Sequence, residues 1–136
     1  MARQDRFLRL LLRIIGAAAL SGFVAVVMPR SWMNATHQWL GMGPLPTEPI
    51  VGYLARSTSA FYALFGGLLL VVSCDLQRYR PVLCYLGAVV IVLGVALFAV
   101  DLLEGMPLYW SLMEGPTNTI FGVLILVLSC RIGRAS

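Results

Sequence analysis

Four charged side chains in this sequence could form a polar site: Arg56, Asp101, Glu104 and Glu114. Carboxylates bind cations and exchange protons, and a guanidinium close by stabilises their charged form. Each of the four adjoins or interrupts an apolar run, and an unpaired charge costs about 2.5–3.5 kcal/mol at the centre of a membrane span. We therefore predict an ion pair between Arg56 and Glu114, with Asp101 and Glu104 as rival partners of the same guanidinium.

Two interpretations of these four residues stay open. In the structural interpretation, the ion pair holds two helical hairpins together and the other acids are solvated. In the functional interpretation, the three acids form a cation or proton site at the outer mouth of the protein, and Arg56 adjusts its affinity. We favour the structural interpretation, because no acid lies at the middle of a predicted span, where a proton relay is expected.

The other residue types offer little catalytic chemistry. The sequence has no nucleophile paired with a base, no glycine-rich phosphate loop, and a single histidine, His37, which we expect to be solvated. Cys74, Cys84 and Cys130 lack Cys-x-x-Cys spacing and a neighbouring His, so we interpret them as thiols. An enzyme stays open but has no identifiable machinery and is the less favoured interpretation, and we expect no cofactor and no metal site.

Membrane helices must position these residues. Hydrophobic residues make up 60% of the chain and the mean hydropathy is +0.87, whereas about 45–50% is apolar in an ordinary soluble domain. A hydrocarbon core of about 30 Å requires about 20 helical residues. Runs of this length predict four spans, at residues 10–28, 53–74, 81–100 and 108–130. We expect an outer amphipathic segment, at about residues 31–42, to lie on the membrane surface.

The length of the fourth span determines the depth of Glu114. Residues 117–130 would extend about 21 Å as a helix, too short for a core of about 30 Å. The helix must therefore begin before Pro116 and include Trp110, which places Glu114 at or below the outer headgroups. Arg56 is expected at a similar depth in the second span.

The distribution of Arg predicts the orientation. The chain has ten Arg and no Lys, and only Arg30 and Arg56 fall on the side that we assign as outer. Positive charge concentrates on the cytoplasmic side of membrane proteins, so both termini and the middle loop are expected there. The other eight are Arg3, Arg6, Arg9, Arg13, Arg78, Arg80, Arg131 and Arg134.

The two halves of the chain resemble each other. Residues 65–74 and 121–130 are identical at seven of ten positions, and both segments end in Ser-Cys. A Met-Pro-x-x-Trp motif, at residues 28–32 and again at 106–110, follows the first and the third span. Two spans return the chain to its starting side, so the copies would form a parallel repeat.

We expect small residues to mediate the helix contacts, because lipid provides little hydrophobic drive for association. The expected small-residue faces are Ala17, Ser21 and Ala25 in span one, Ser59, Ala63 and Gly67 in span two, and Gly87 and Gly94 in span three. The predicted fold class is therefore an all-α integral membrane four-helix bundle, built as one domain over residues 1–136 from two parallel-repeated hairpins.

Three segments carry a resemblance to a known group of proteins: residues 53–57 (Tyr-Leu-Ala-Arg-Ser), 78–81 (Arg-Tyr-Arg-Pro) and 110–116 (Trp-x-x-x-Glu-Gly-Pro). With these motifs, the whole chain resembles a group of small four-span proteins of bacterial inner membranes. In architecture alone it is also similar to DoxX-like four-helix membrane proteins. The resemblance implies an inner-membrane location and assigns no chemistry to the motifs.

Two functions from different classes are compatible with this pattern. The first, which we favour, is a non-catalytic membrane module that packs against itself or a membrane partner protein. The alternative is a small transporter, or a lipid- or quinone-binding protein, with an outer polar site formed by Arg56, Asp101, Glu104 and Glu114. The expected partners are the lipid bilayer and another membrane chain, and not nucleic acid, because the Arg residues flank apolar runs without forming a basic stripe.

Overall fold

The computed structural model describes residues 3–132, so that Arg134 lies outside the described residues. This part of the chain is all-helical and contains no strand, which confirms the predicted fold class and is consistent with a helical bundle. The helices are α1 (Arg3–Leu20), α2 (Phe23–Val27), α3 (Arg30–Trp39), α4 (Pro49–Val72), α5 (Arg80–Leu103) and α6 (Leu108–Arg131).

Four helical segments are long and apolar enough to cross a membrane: Arg3–Val27, which joins α1 and α2, and then α4, α5 and α6. The first segment begins seven residues before the predicted span. Leu8 and Leu12 are fully buried there, so the Arg-rich start of the chain has a buried apolar side. The helix α6 includes Pro116 and Trp110, as the length argument requires.

The described residues form two compact units. We call residues 11–71 the N-terminal unit, and residues 3–10 together with 72–132 the C-terminal unit. The single membrane domain expected from the sequence stays a prediction.

In the N-terminal unit, two glycines bring the backbones of α1 and α4 into contact. A Cβ added to Gly66 would lie 2.5 Å from the Gly16 carbonyl oxygen and would also overlap the Leu20 amide nitrogen. Nothing lies within 4 Å of a Cβ added to Gly67. The expected face of span two was therefore wrong at this position, because Gly66 rather than Gly67 faces α1.

In the C-terminal unit, α5 and α6 pack in the same manner. A Cβ added to Gly122 would lie 2.8 Å from the Gly87 carbonyl oxygen and 2.7 Å from the Ile91 amide nitrogen. Farther along the same interface, a Cβ on Gly94 would lie 2.7 Å from the Gly115 carbonyl oxygen. Gly87 and Gly94 therefore form part of a helix contact, as expected.

The two crossings share one pattern. In each, the glycine of the second helix lies against a carbonyl and against the amide four residues later on the first helix. Gly16 and Leu20 provide these groups in the N-terminal unit, and Gly87 and Ile91 provide them in the C-terminal unit. The contact is between backbones, so any side chain larger than hydrogen would separate the helices.

Both Met-Pro motifs begin a helix in the same way. Pro29 has φ −59° and ψ 145°, and Pro107 has φ −53° and ψ 136°. The amide of Trp32 donates to the Pro29 carbonyl at 3.0 Å, and that of Trp110 donates to the Pro107 carbonyl at 2.9 Å. An extended proline followed by a helical turn is a common helix start, because proline needs no amide partner there.

Glycines end two of the helices through a Schellman motif. After α5, the Met106 amide donates to the Asp101 carbonyl at 2.9 Å and Gly105 has φ +69°. After α3, the Met42 amide donates to the His37 carbonyl at 3.2 Å and Gly41 has φ +77°. A left-handed residue at this position satisfies the last carbonyls of a helix, and glycine adopts it without strain.

Candidate functional site

Arg56 lies in the second turn of α4 and contacts the Met-Pro motif of its own unit. Its Nη2 donates to the Met28 carbonyl oxygen at 3.0 Å and lies 4.0 Å from the Met33 sulfur. The guanidinium is exposed. It therefore holds the start of α3 close to α4, and its predicted pairing with Glu114 stays a prediction.

A second guanidinium lies near Arg56 in the N-terminal unit. Arg30 Nη2 donates to the Pro46 carbonyl at 2.6 Å and contacts the Glu48 carbonyl at 3.5 Å. A cavity of about 310 Å³ lies between α3 and the first turns of α4. Its lining residues are Arg30, Met33, Pro49, Gly52, Tyr53 and Arg56.

The connection between α3 and α4 is itself held by polar side chains. The Asn34 Oδ1 accepts a hydrogen bond from the Leu45 amide at 2.8 Å. The half-buried His37 ring lies with Nδ1 2.8 Å from the Gly43 carbonyl oxygen. His37 is therefore less solvated than expected, because one ring nitrogen contacts the backbone of this connection.

Asp101 is the buried acid of the C-terminal unit. Its side chain is 6% exposed, and no described residue hydrogen-bonds its Oδ2. It continues the line of Gly87 and Gly94 along α5 at seven-residue intervals, which places it on the face toward α6. A buried oxygen without a hydrogen-bond partner is costly, which singles out Asp101 Oδ2 among the polar atoms of α5.

Ser111 shares this environment across the interface. It is fully buried, and no described residue hydrogen-bonds its hydroxyl. Phe98 of α5 meets Gly115 of α6, so in this antiparallel pair the next turn of each helix brings Asp101 level with Ser111. By this helix geometry, Asp101 Oδ2 and the Ser111 hydroxyl, which have no hydrogen-bond partner among the described residues, belong to the same level of the α5–α6 interface.

The other two predicted acids have different surroundings. Glu104 is exposed at the C-cap of α5, since the helix ends at Leu103. Glu114 is half-buried, and its Oε2 accepts a hydrogen bond from the Trp110 indole at 2.8 Å. Asp101 and Glu104 therefore differ in burial, although their spacing of three residues suggested a shared helix face.

At the Ser-Cys ends, Arg side chains bind helix carbonyls. Arg80 donates to the carbonyls of Ser129 and Cys130 at 3.2 and 3.4 Å, and Arg9 donates to the Cys74 carbonyl at 3.1 Å. Such contacts satisfy terminal carbonyls and place positive charge at the negative end of the helix dipole.

Two of the three cysteines are neighbours within the C-terminal unit. The sulfurs of Cys84 and Cys130 lie 3.9 Å apart, and Cys74 is exposed. Among residues 3–132, no group of three or more His, Cys, Asp or Glu side chains could hold a metal ion. A Cys pair alone provides two soft ligands, fewer than the four of a structural zinc site.

Sequence reasoning missed Arg30 and Ser111. Arg30 is one of the two Arg residues that the charge distribution assigns to the outer side, but only the fold of the 40–48 connection brings it to the cavity that Arg56 also lines. Ser111 had no distinguishing signal, because serine is common on small-residue faces of membrane helices.

The fold and these polar groups define a multi-pass integral membrane protein with four apolar helices. Comparison of the chain with family models, with curated proteins and with solved structures gives no match.

Proposed function

We propose that this chain is a non-catalytic multi-pass protein of a bacterial inner membrane that packs against a second copy of itself or a membrane partner. The observation that carries the proposal is a line of small residues, at least partly exposed, that runs from α1 through the turn at Ser21 into α2. Ala17 and Ser21 are exposed and Ala25 is half-buried, whereas Gly16 is in contact with α4. Small residues at four-residue spacing allow a second helix to approach closely within lipid.

The Arg distribution supports an orientation with both termini in the cytoplasm. In that orientation the connection between α2 and α4 faces outward, and the exposed Trp32 and Trp39 of α3 lie at the outer headgroups. Indole rings favour this layer of the membrane.

We also infer that the two halves are copies of one hairpin, and the spacing of their contacts supports this. Arg9 precedes Gly16 by seven residues, and Arg80 precedes Gly87 by seven. Cys74 follows Gly66 by eight residues, as Cys130 follows Gly122. Within each repeat, the Arg donates to the carbonyl of the Cys and the glycines touch.

Self-association in a bilayer tests the proposed function. We expect Ala17→Leu and Ser21→Leu to weaken it, as measured by energy transfer between donor- and acceptor-labelled chains in vesicles. Val27→Leu is the matched control, because Val27 is 70% exposed and lies outside the small-residue line. Equal energy transfer in all four proteins, wild type included, would exclude this face as the interface.

The buried Asp101 favours a second candidate, a small-cation site of a transporter. Oxygen atoms bind hard cations such as Na⁺, and here a carboxylate and a hydroxyl lie at one level of the α5–α6 seam. Added Na⁺ should raise the melting temperature of the purified protein, and Asp101→Asn should abolish the rise. Glu104→Gln is the control, since Glu104 is exposed. A Na⁺ response that survives Asp101→Asn would rule this candidate out.

A further inference from the structure

We propose that the N-terminal unit binds one phosphate-bearing anion in the cavity between α3 and α4, held by the guanidinium groups of Arg30 and Arg56. The site is distinct from the small-residue face and from Asp101. It requires neither self-association nor cation binding.

The cavity carries positive charge. Two guanidinium groups line one cavity of about 310 Å³, and none of the described residues that line it is acidic. Two like charges so placed repel each other, and an anion between them removes that repulsion. Guanidinium groups form paired hydrogen bonds with phosphate oxygens, which makes Arg the preferred side chain for phosphate recognition.

The two guanidinium groups are preorganised by hydrogen bonds to the backbone. One Nη2 of each Arg already donates to a backbone carbonyl, at 2.6 Å to Pro46 and at 3.0 Å to Met28. Each guanidinium has five N–H donors, so these bonds orient the group and leave other donors for a ligand. A ligand therefore loses less side-chain entropy here than it would on two mobile Arg side chains.

The shape of the cavity also favours an anion beside the first turn of α4. Gly52 lies on the wall from α4, and a Cβ there would lie 3.4 Å from Arg30 Nη1. The absence of a side chain lets the guanidinium approach the helix. Pro49 and Gly52 belong to the first turn of α4, where the helix dipole adds a favourable field for negative charge.

The remaining wall matches an amphipathic ligand. Met33 and Tyr53 provide apolar and aromatic surface beside the two charges. Trp32 and Trp39 of α3 are 63% and 84% exposed, which is typical of a helix at the headgroup layer. A lipid headgroup phosphate and a soluble phosphate ester share the recognised chemistry, and the experiment separates them.

Native mass spectrometry of the full chain, released from detergent, provides the test. Phosphatidylglycerol is titrated as the lipid probe, with glycerol 3-phosphate and inorganic phosphate as the soluble probes. We expect one phosphatidylglycerol per chain, with binding weakened about tenfold or more in Arg30→Gln and in Arg56→Gln. Arg13→Gln is the matched control, because it removes the same charge outside the cavity.

A further variant separates binding from folding, since Arg30 also supports the connection before α4. Gly52→Leu keeps both guanidinium groups and fills the cavity, so we expect it to weaken binding as the Arg variants do. Binding of soluble phosphate that displaces the lipid would assign the site to the phosphate group itself. Unchanged binding in Gly52→Leu, equal losses in all three Arg variants, or no binding of any probe would overturn the proposal.

Discussion

The two units solve the same packing problem and differ in how they connect their helices. Both crossings place a glycine against the backbone of a neighbouring helix. In the N-terminal unit, residues 21–48 join α1 and α4 through α2, α3 and a loop, whereas residues 104–107 suffice to join α5 and α6 in the C-terminal unit. The backbone contact at each crossing leaves no room for a larger side chain. The differences between the units that could support function therefore lie at the connections.

The polar character of the connections differs accordingly. The long connection of the N-terminal unit lies beside two Arg side chains and a cavity. The short connection of the C-terminal unit follows the buried Asp101. We accordingly propose an anion for the first environment and a cation for the second.

The largest effect that would test the shared crossing comes from Gly66→Ala and Gly122→Ala. Each added methyl group would lie within 3.0 Å of backbone atoms, and overpacking of this kind costs about 1–3 kcal/mol. We expect equal losses in the free energy of unfolding, measured in mixed detergent micelles. Gly67→Ala is the control, because the space beside it is open. A loss at only one of the two sites would show that the crossings are not equivalent.

The next largest effect compares the two Arg residues at the Ser-Cys ends. Arg80 makes two carbonyl contacts in a part-buried setting, and Arg9 makes one exposed contact. We expect Arg80→Gln to lower the free energy of unfolding by about 1–2 kcal/mol and Arg9→Gln by less. Arg78→Gln provides a control for loss of charge, since Arg78 is exposed and its guanidinium lies over the Tyr79 ring. The reverse order would contradict the assigned contacts.

Sequence patterns predicted the helices because hydropathy and length alone determine which segments can cross a membrane. They also predicted that α6 begins before Pro116. Helix α6 continues through this proline. Two side chains just after it donate to backbone carbonyls one turn back: Asn118 to the Glu114 carbonyl at 2.9 Å, and Thr119 to the Gly115 carbonyl at 3.0 Å. The amide that Pro116 lacks would have donated to the Leu112 carbonyl, so these two bonds add contacts beside the proline without replacing the missing one.

The details of the candidate site depended on contacts that no periodicity encodes. Gly66 and Gly67 are adjacent, and their sequence does not indicate which of them faces α1. Asp101 and Glu104 differ in burial because Asp101 lies inside α5, whereas Glu104 is the exposed C-cap after Leu103. Arg30 reaches the cavity only because its connection folds back to Pro46.

A smaller effect concerns the glycines of the two Schellman motifs. Gly41 and Gly105 have positive φ angles, where a residue with a Cβ costs about 1–2 kcal/mol. We expect Gly41→Ala and Gly105→Ala each to lower the free energy of unfolding by about 1 kcal/mol. Replacing either residue by Asn, which tolerates this conformation, should restore part of the loss. Stability unchanged by alanine at both positions would contradict the two helix ends.

The smallest effect compares the tryptophans of the two Met-Pro motifs. Trp110 donates its indole N–H to Glu114 four residues later, whereas in the first motif the Thr36 hydroxyl donates to the Trp32 carbonyl. Trp110→Phe should therefore cost about 0.5–1.5 kcal/mol for the lost hydrogen bond, in addition to any change in contact area. Trp32→Phe, which leaves the Thr36 bond intact, gives the loss of ring area at a Trp that is 63% exposed. If Glu114→Gln and Trp110→Phe lower the free energy of unfolding equally, the loss is assigned to the charge of the acceptor. Equal losses in the two Phe variants would contradict a contribution from the indole hydrogen bond.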